Sequence, residues 1–146
     1  MNDAPKLVFY FDYIDPGSYL MHRQLSRLLP DGVEPTVHPL EVRPVPQELI
    51  DGADPDWNAY GETVESLARE AEIWMARPAF IPWSRKAHEL RLHAVEHGLE
   101  SPMHEEIFSA RFQEEADIGR IDVLVAAAEK VGLDASESKA VLDVDK

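Results

Sequence analysis

A chain of 146 residues with 28 acidic and 14 basic side chains, a formal net charge of −14 and no cysteine fits a single domain. It has no means to form a disulfide, a thiolate nucleophile or a zinc–thiolate site. Its acidic surface repels nucleic-acid phosphates and anionic lipid, and no run of about 18 apolar residues is present to span a bilayer. Met1 to Lys6 lack a basic-then-apolar signal, so the expected setting is cytoplasmic, with neither nucleic acid nor membrane as partner.

Leu7 to Tyr13 is a short, nearly continuous apolar run after Pro5, rich in aromatic and β-branched residues. It predicts a buried strand, central or parallel. Asp15-Pro16-Gly17-Ser18 ends it and opens a helix over 19–29, with Asp15 as N-cap and Pro16 in the first turn. Pro30-Asp31-Gly32 stops that helix. Val33 to Val42 predicts a second strand, which Pro35 and Pro39 confine to an edge or a bulge. Strand, helix and strand in this order make a βαβ unit with parallel strands. Residues 5–43 thus form an α/β half, the Pro- and Gly-rich stretch 44–55 a linker, and 56–143 a helical domain.

In the helical part, Trp57, Tyr60, Val64, Leu67, Ala71 and Trp74 predict one apolar seam over five turns. Pro78 and Pro82 break the chain before a helix from Ser84 to about His97, closed by Gly98. Ser101-Pro102 predicts the start of the next helix, which carries Ile107, Phe108, Ala110 and Phe112. Another runs from about Gly119 to Val131. Asp134-Ala135-Ser136-Glu137 resembles a capping box and starts a last short helix toward Leu142.

Three places offer chemistry. The turn Asp15-Pro16-Gly17-Ser18 feeds a helix N-terminus, whose free N–H groups and positive partial charge favour an anion. The plain alternative is a capped helix start with Ser18 exposed. His93 and His97 stand four apart with Glu89 four before them, a spacing that suits a divalent metal. A helical wheel turns Ala87, Leu90, Arg91, Ala94 and Val95 inward and Glu89, His93 and Glu96 outward, so a solvated face is expected and no metal is assigned. Trp57, Trp74, Trp83 and Tyr60 cluster near the proline-rich junctions. They either line an apolar pocket beside the turn or serve as core and lid packing.

The run from Phe9 to Leu20 resembles the opening of the DsbA-like thioredoxin families, which include FrnE-type oxidoreductases, 2-hydroxychromene-2-carboxylate isomerases and kappa-class glutathione transferases. Ala87-His88-Glu89-Leu90, Ile107-Phe108-Ser109-Ala110-Arg111-Phe112, Asp117-Ile118 and Val131-Gly132-Leu133-Asp134 resemble later FrnE-type motifs in the same order. The fold this implies is α/β: a partial thioredoxin-like βαβ unit followed by a large α-helical insertion domain. Oxidoreductases of the group carry Cys-Pro-x-Cys at the turn, and its glutathione-using members carry Ser-Pro-Tyr-Ser. The resemblance therefore sets Asp15 where relatives have the attacking Cys or catalytic Ser, and Ser18 on the second Cys or Ser. Pro16, Gly17, Tyr19, Trp83 and His88 are the candidate ligand-binding residues around them. Asp15 has no S–H or O–H, and its charge repels a bound thiolate. Thiol–disulfide exchange is thus not expected from this chain, since the reaction needs a thiolate.

The function expected is a non-redox binding or scaffold member for a small molecule or peptide. The alternatives are a glutathione-dependent isomerase or transferase using Ser18, with glutathione as the one implied cofactor, and a metal-binding helical module. No segment matching the family's later strand with its cis-proline follows Leu142. An open two-stranded sheet then wants a homo-oligomer or a partner chain to complete it.

Overall fold

The computed structural model describes residues 6–144. β1 (Val8–Phe11) and β2 (Thr36–Pro39) flank α1 (Pro16–Leu28). The two strands pair in parallel, from Val8 opposite Thr36 to Phe11 opposite Pro39. The α/β part is therefore a βαβ unit, as expected. Five further helices follow: α2 (Pro55–Glu70), α3 (Arg85–Glu96), α4 (Glu100–Phe112), α5 (Ile121–Lys130) and α6 (Ala135–Asp143). No described helix is long and apolar enough to cross a membrane.

β1 joins the two parts. Phe11 is buried and meets Phe108 of α4, while Val8 and Tyr10 are 45% and 63% exposed. The strand expected to be buried is thus covered on one face only, because alternate side chains point to opposite sides and the described helices pack on one of them. Among the described residues the core runs from Phe11, Tyr13 and Tyr19 through Leu90, Met103, Ile107 and Phe108 to Leu124 and Leu142.

The helix ends follow local chemistry. Asp15, Asp54 and Asp134 cap α1, α2 and α6 through their carboxylates. Gly98 and Gly132 take left-handed φ angles of 69° and 99° after α3 and α5. In each case the next residue's N–H returns to an earlier carbonyl, Leu99 to Ala94 and Leu133 to Ala128. α2 ends in the same motif, with Ile73 N–H on the Ala68 carbonyl, but there the left-handed residue is Glu72 at φ 58°. A side chain with a Cβ is disfavoured in that conformation. Glu72→Gly is accordingly expected to raise folding stability by about 0.5–1 kcal/mol, read as a higher urea midpoint with an unchanged slope.

The structure breaks the seam predicted along 57–74. α2 stops before Ala71, and Tyr60, Leu67 and Trp74 are 40%, 50% and 67% exposed. The face turned inward carries Gly61, Val64 and Ala68, with Trp57 partly buried beside them. Gly61 leaves room for the Arg77 side chain laid against it, and small residues such as Gly61 and Ala68 carry little hydrophobic signal in a sequence. α4 likewise begins before the expected Ser101-Pro102, with Leu99 at its N-cap. On α3, Val95 is exposed and His93 is buried, the reverse of the wheel, since α6 packs over the His93 side.

Candidate functional site

The turn after β1 is held by two carboxylates. Asp15 caps α1: its Oδ1 accepts from the Gly17 N–H at 3.2 Å and its Oδ2 from the Ser18 N–H at 3.0 Å. The same carboxylate accepts two hydroxyl donors, Ser18 Oγ at 2.7 Å and Tyr60 Oη at 2.5 Å. Burial and the hydrogen bond to Asp15 push the Tyr60 phenol well above its ordinary pKa. A Cβ on Gly17 would run into the Tyr60 hydroxyl, so glycine leaves room for that hydroxyl at the turn. Ser18 is 5% exposed, not open to solvent as a plain capped start predicts, and its Oγ also accepts from the Asp12 N–H at 3.2 Å.

Asp12 lies behind this turn, 1% exposed. Its Oδ2 accepts from the Val42 N–H at 2.7 Å, and its Oδ1 from the Ile14 N–H at 3.4 Å and His88 Nε2 at 3.3 Å. One side chain thereby ties the end of β1, the turn, the segment after β2 and helix α3.

The remaining residues predicted at the site divide into two groups. Pro16 and Gly17 form the first turn of α1. Trp83 is 37% exposed and donates from Nε1 to the Gln47 carbonyl, which pins the proline-rich loop. Tyr19 and His88 instead face the core. Tyr19 is fully buried, stacks on Phe112 and accepts at Oη from Arg23 and Gln113. His88 packs against Phe11 and Tyr13.

Chemically, the helix N-terminus at this turn is already occupied by its own anion. The N–H groups of Gly17 and Ser18 point at Asp15, and the Ser18 hydroxyl is used as both donor and acceptor. No thiol stands at this turn, and its Ser18 and Tyr60 hydroxyls are both engaged.

A second cluster lies at the other end of α1, on a cleft of about 780 Å³ lined by Phe9, His22, Leu25, Val37, His104 and Glu105. Glu105 pairs with His22 at 2.5 Å and Arg23 at 2.7 Å, and the His22 hydrogen bond, followed by the charges of His22 and Arg23, holds its carboxyl below the ordinary range. His104 Nδ1 bonds the Tyr13 hydroxyl at 2.9 Å inside an aromatic cage. Burial, helped by the neighbouring His22 and Arg91, lowers His104 to about 3. The unfolded chain binds this proton near the ordinary 6.5, and the folded chain binds it only near 3. Stability is therefore full above 6.5 and falls as pH drops between those values. Thermal unfolding midpoints across that range should decline, with a shallower decline for His104→Asn.

The sequence pointed to Asp15 and Ser18 but not to Asp12 or the Tyr60 hydroxyl. Its one available signal for Asp12 was a carboxylate inside an otherwise apolar, aromatic run.

Comparison with known proteins bears on this arrangement. The family described as the DSBA-like thioredoxin domain matches residues 6–146. The uncharacterized protein YwbO of Bacillus subtilis is 30% identical over 139 residues, spanning 92% of this chain and 70% of that protein. A solved structure, that of a probable DsbA oxidoreductase from Streptomyces coelicolor, superposes with a TM-score of 0.75 at 20% identity, over 95% of this chain and 68% of that one. At such low identity the likeness establishes the fold and not the activity.

Proposed function

The chain belongs to the DSBA-like thioredoxin domain family, and from that premise we propose that it acts as a non-redox binding or scaffold member, presenting the turn at Pro16 and the adjoining helical face to a small molecule or peptide. The observation that carries this reading is the saturation of Asp15. At the position where relatives attack a disulfide or hold a sulfur stands a carboxylate accepting four hydrogen bonds. A carboxylate so placed neutralises the positive end of α1 and opposes a second anion there. Calorimetric titration with reduced glutathione tests the reading. No saturable heat is expected up to millimolar concentration. Saturable binding, weakened by Ser18→Ala, would replace it with a glutathione-dependent isomerase or transferase.

Self-association belongs to the same proposal. Leu7 and Phe11 accept from β2 through Thr36 and Leu40, so by the alternation of a parallel ladder the backbone groups of Val8 and Tyr10 face the opposite edge. That edge is flanked by two exposed apolar side chains and suits a strand from a second copy. Sedimentation at micromolar concentration should show a dimer or larger species. A monodisperse monomer would overturn this part.

A further inference from the structure

We propose that His93 of α3, His97 at the C-cap of that helix and Glu137 of α6 bind one divalent transition-metal ion of zinc type and clip the last described helix to the body of the protein. The site is independent of the turn at Asp15. Each of the three residues offers a ligand atom, and these atoms all lie within 4.8 Å of one another. Two imidazoles and one carboxylate, with the fourth position left to water, form a donor set that zinc takes readily.

Three features set this cluster apart from a chance grouping of polar residues. His93 is only 7% exposed, and its Nε2 is buried without a hydrogen-bond partner. A buried imidazole left unpaired is unfavourable and wants either a donor, an acceptor or an ion. His97 is already oriented as a ligand. Its Nδ1 donates to the His93 carbonyl at 3.0 Å, which fixes the tautomer and leaves the Nε2 lone pair free. That Nε2 stands 3.8 Å from Glu137 Oε2, too far for a hydrogen bond. Bonds of about 2.0–2.2 Å from one ion reach both atoms across such a gap.

The geometry also explains how the site closes. The two histidine rings are 4.6 Å apart, one helical turn from each other. Glu137 sits in the first turn of α6, with its N–H anchored on Asp134 at 2.9 Å, while its side chain is 64% exposed and free to adjust. The sequence suggested Glu89 as the carboxylate for this pair. Glu89 instead pairs with Lys86, and Glu137 takes its place across the helix interface.

The full chain, stripped of metal, should bind one equivalent of Zn²⁺ in calorimetric titration, and Co²⁺ in its place should give visible absorption bands of a four-coordinate site. His97→Ala and Glu137→Gln should each weaken Zn²⁺ binding by at least about tenfold, since each removes one of three protein ligands. Both positions are exposed, so these variants retain the fold, which circular dichroism checks. Glu89→Gln should bind as the parent does. At one Zn²⁺ concentration the unfolding temperature of the parent should rise by more than that of Glu137→Gln. Absence of saturable Zn²⁺ binding up to millimolar concentration would overturn the proposal. Parent-like affinity in both His97→Ala and Glu137→Gln would do the same.

Discussion

Asp12→Ala is expected to lower folding stability by about 3–5 kcal/mol, read as a drop in the urea midpoint. The Asp12 carboxylate is 1% exposed and accepts from the Val42 N–H, the Ile14 N–H and His88 Nε2. Alanine leaves those donors buried and facing no acceptor, and each such group loses water without gaining a partner. The damage spreads because the donors come from three separate places: the turn, the segment after β2, and α3. Asp12→Asn keeps an acceptor for Val42 and removes the charge facing His88, so its loss should be smaller, about 1–3 kcal/mol. Asp31→Ala, on an exposed turn, should stay within about 0.5 kcal/mol of the parent and serves as the control.

Phe108→Ala carries the second large effect, a loss of about 3–5 kcal/mol. The Phe108 ring is fully buried and stands 4.8 Å from Tyr13, 5.0 Å from His22, 5.0 Å from His104 and 6.0 Å from Phe11. These partners belong to β1, the turn, α1 and α4, so the ring is where the α/β half and the helices share one core. Truncation leaves a cavity among rigid aromatic neighbours that collapse poorly, which places the cost at the upper part of the range for core truncations. Phe108→Leu refills most of the volume and should cost about 1.5 kcal/mol. Since a domain of this size has about 5–15 kcal/mol in all, either alanine variant removes a large part of it. A Phe108→Ala protein that keeps the parent's urea midpoint would show that the two parts do not share this core.

Much of the fold was legible because its signals are local. Asp15 and Asp134 cap helices as their residue types predict, and Gly98 and Gly132 end them. The β1, α1, β2 order is readable from one apolar aromatic run, a proline-started helix and a proline-marked edge strand. What stayed hidden depends on tertiary contact. The inner face of α2 carries Gly61 and Ala68 as well as Val64, and the Arg77 side chain fills the space that Gly61 leaves. Glu72 adopts a left-handed conformation that a glycine would have announced. Asp12 reads as the end of a strand, and only folding brings Val42 and His88 to it.

At the candidate site, Asp15 is legible as a helix cap, and the resemblance sets it at the position of a reactive group. The sequence offered Tyr60, 45 residues away, as an aromatic lining a pocket beside the turn, but not as a donor to the same carboxylate. Ser18 was expected at the surface or at a sulfur, yet its hydroxyl is engaged by Asp12 and Asp15. Glu137 was equally invisible as a partner for His93 and His97, because nothing in helical spacing links α3 to α6.

In the proposed function the Asp15 carboxylate itself closes this turn to a sulfur ligand. The most direct test is calorimetric titration of reduced glutathione into the parent and into Asp15→Ser, which removes the charge and restores a serine at the helix start. Saturable heat from Asp15→Ser and none from the parent is the predicted result. Equal behaviour of the two, whether both bind or neither does, would contradict it.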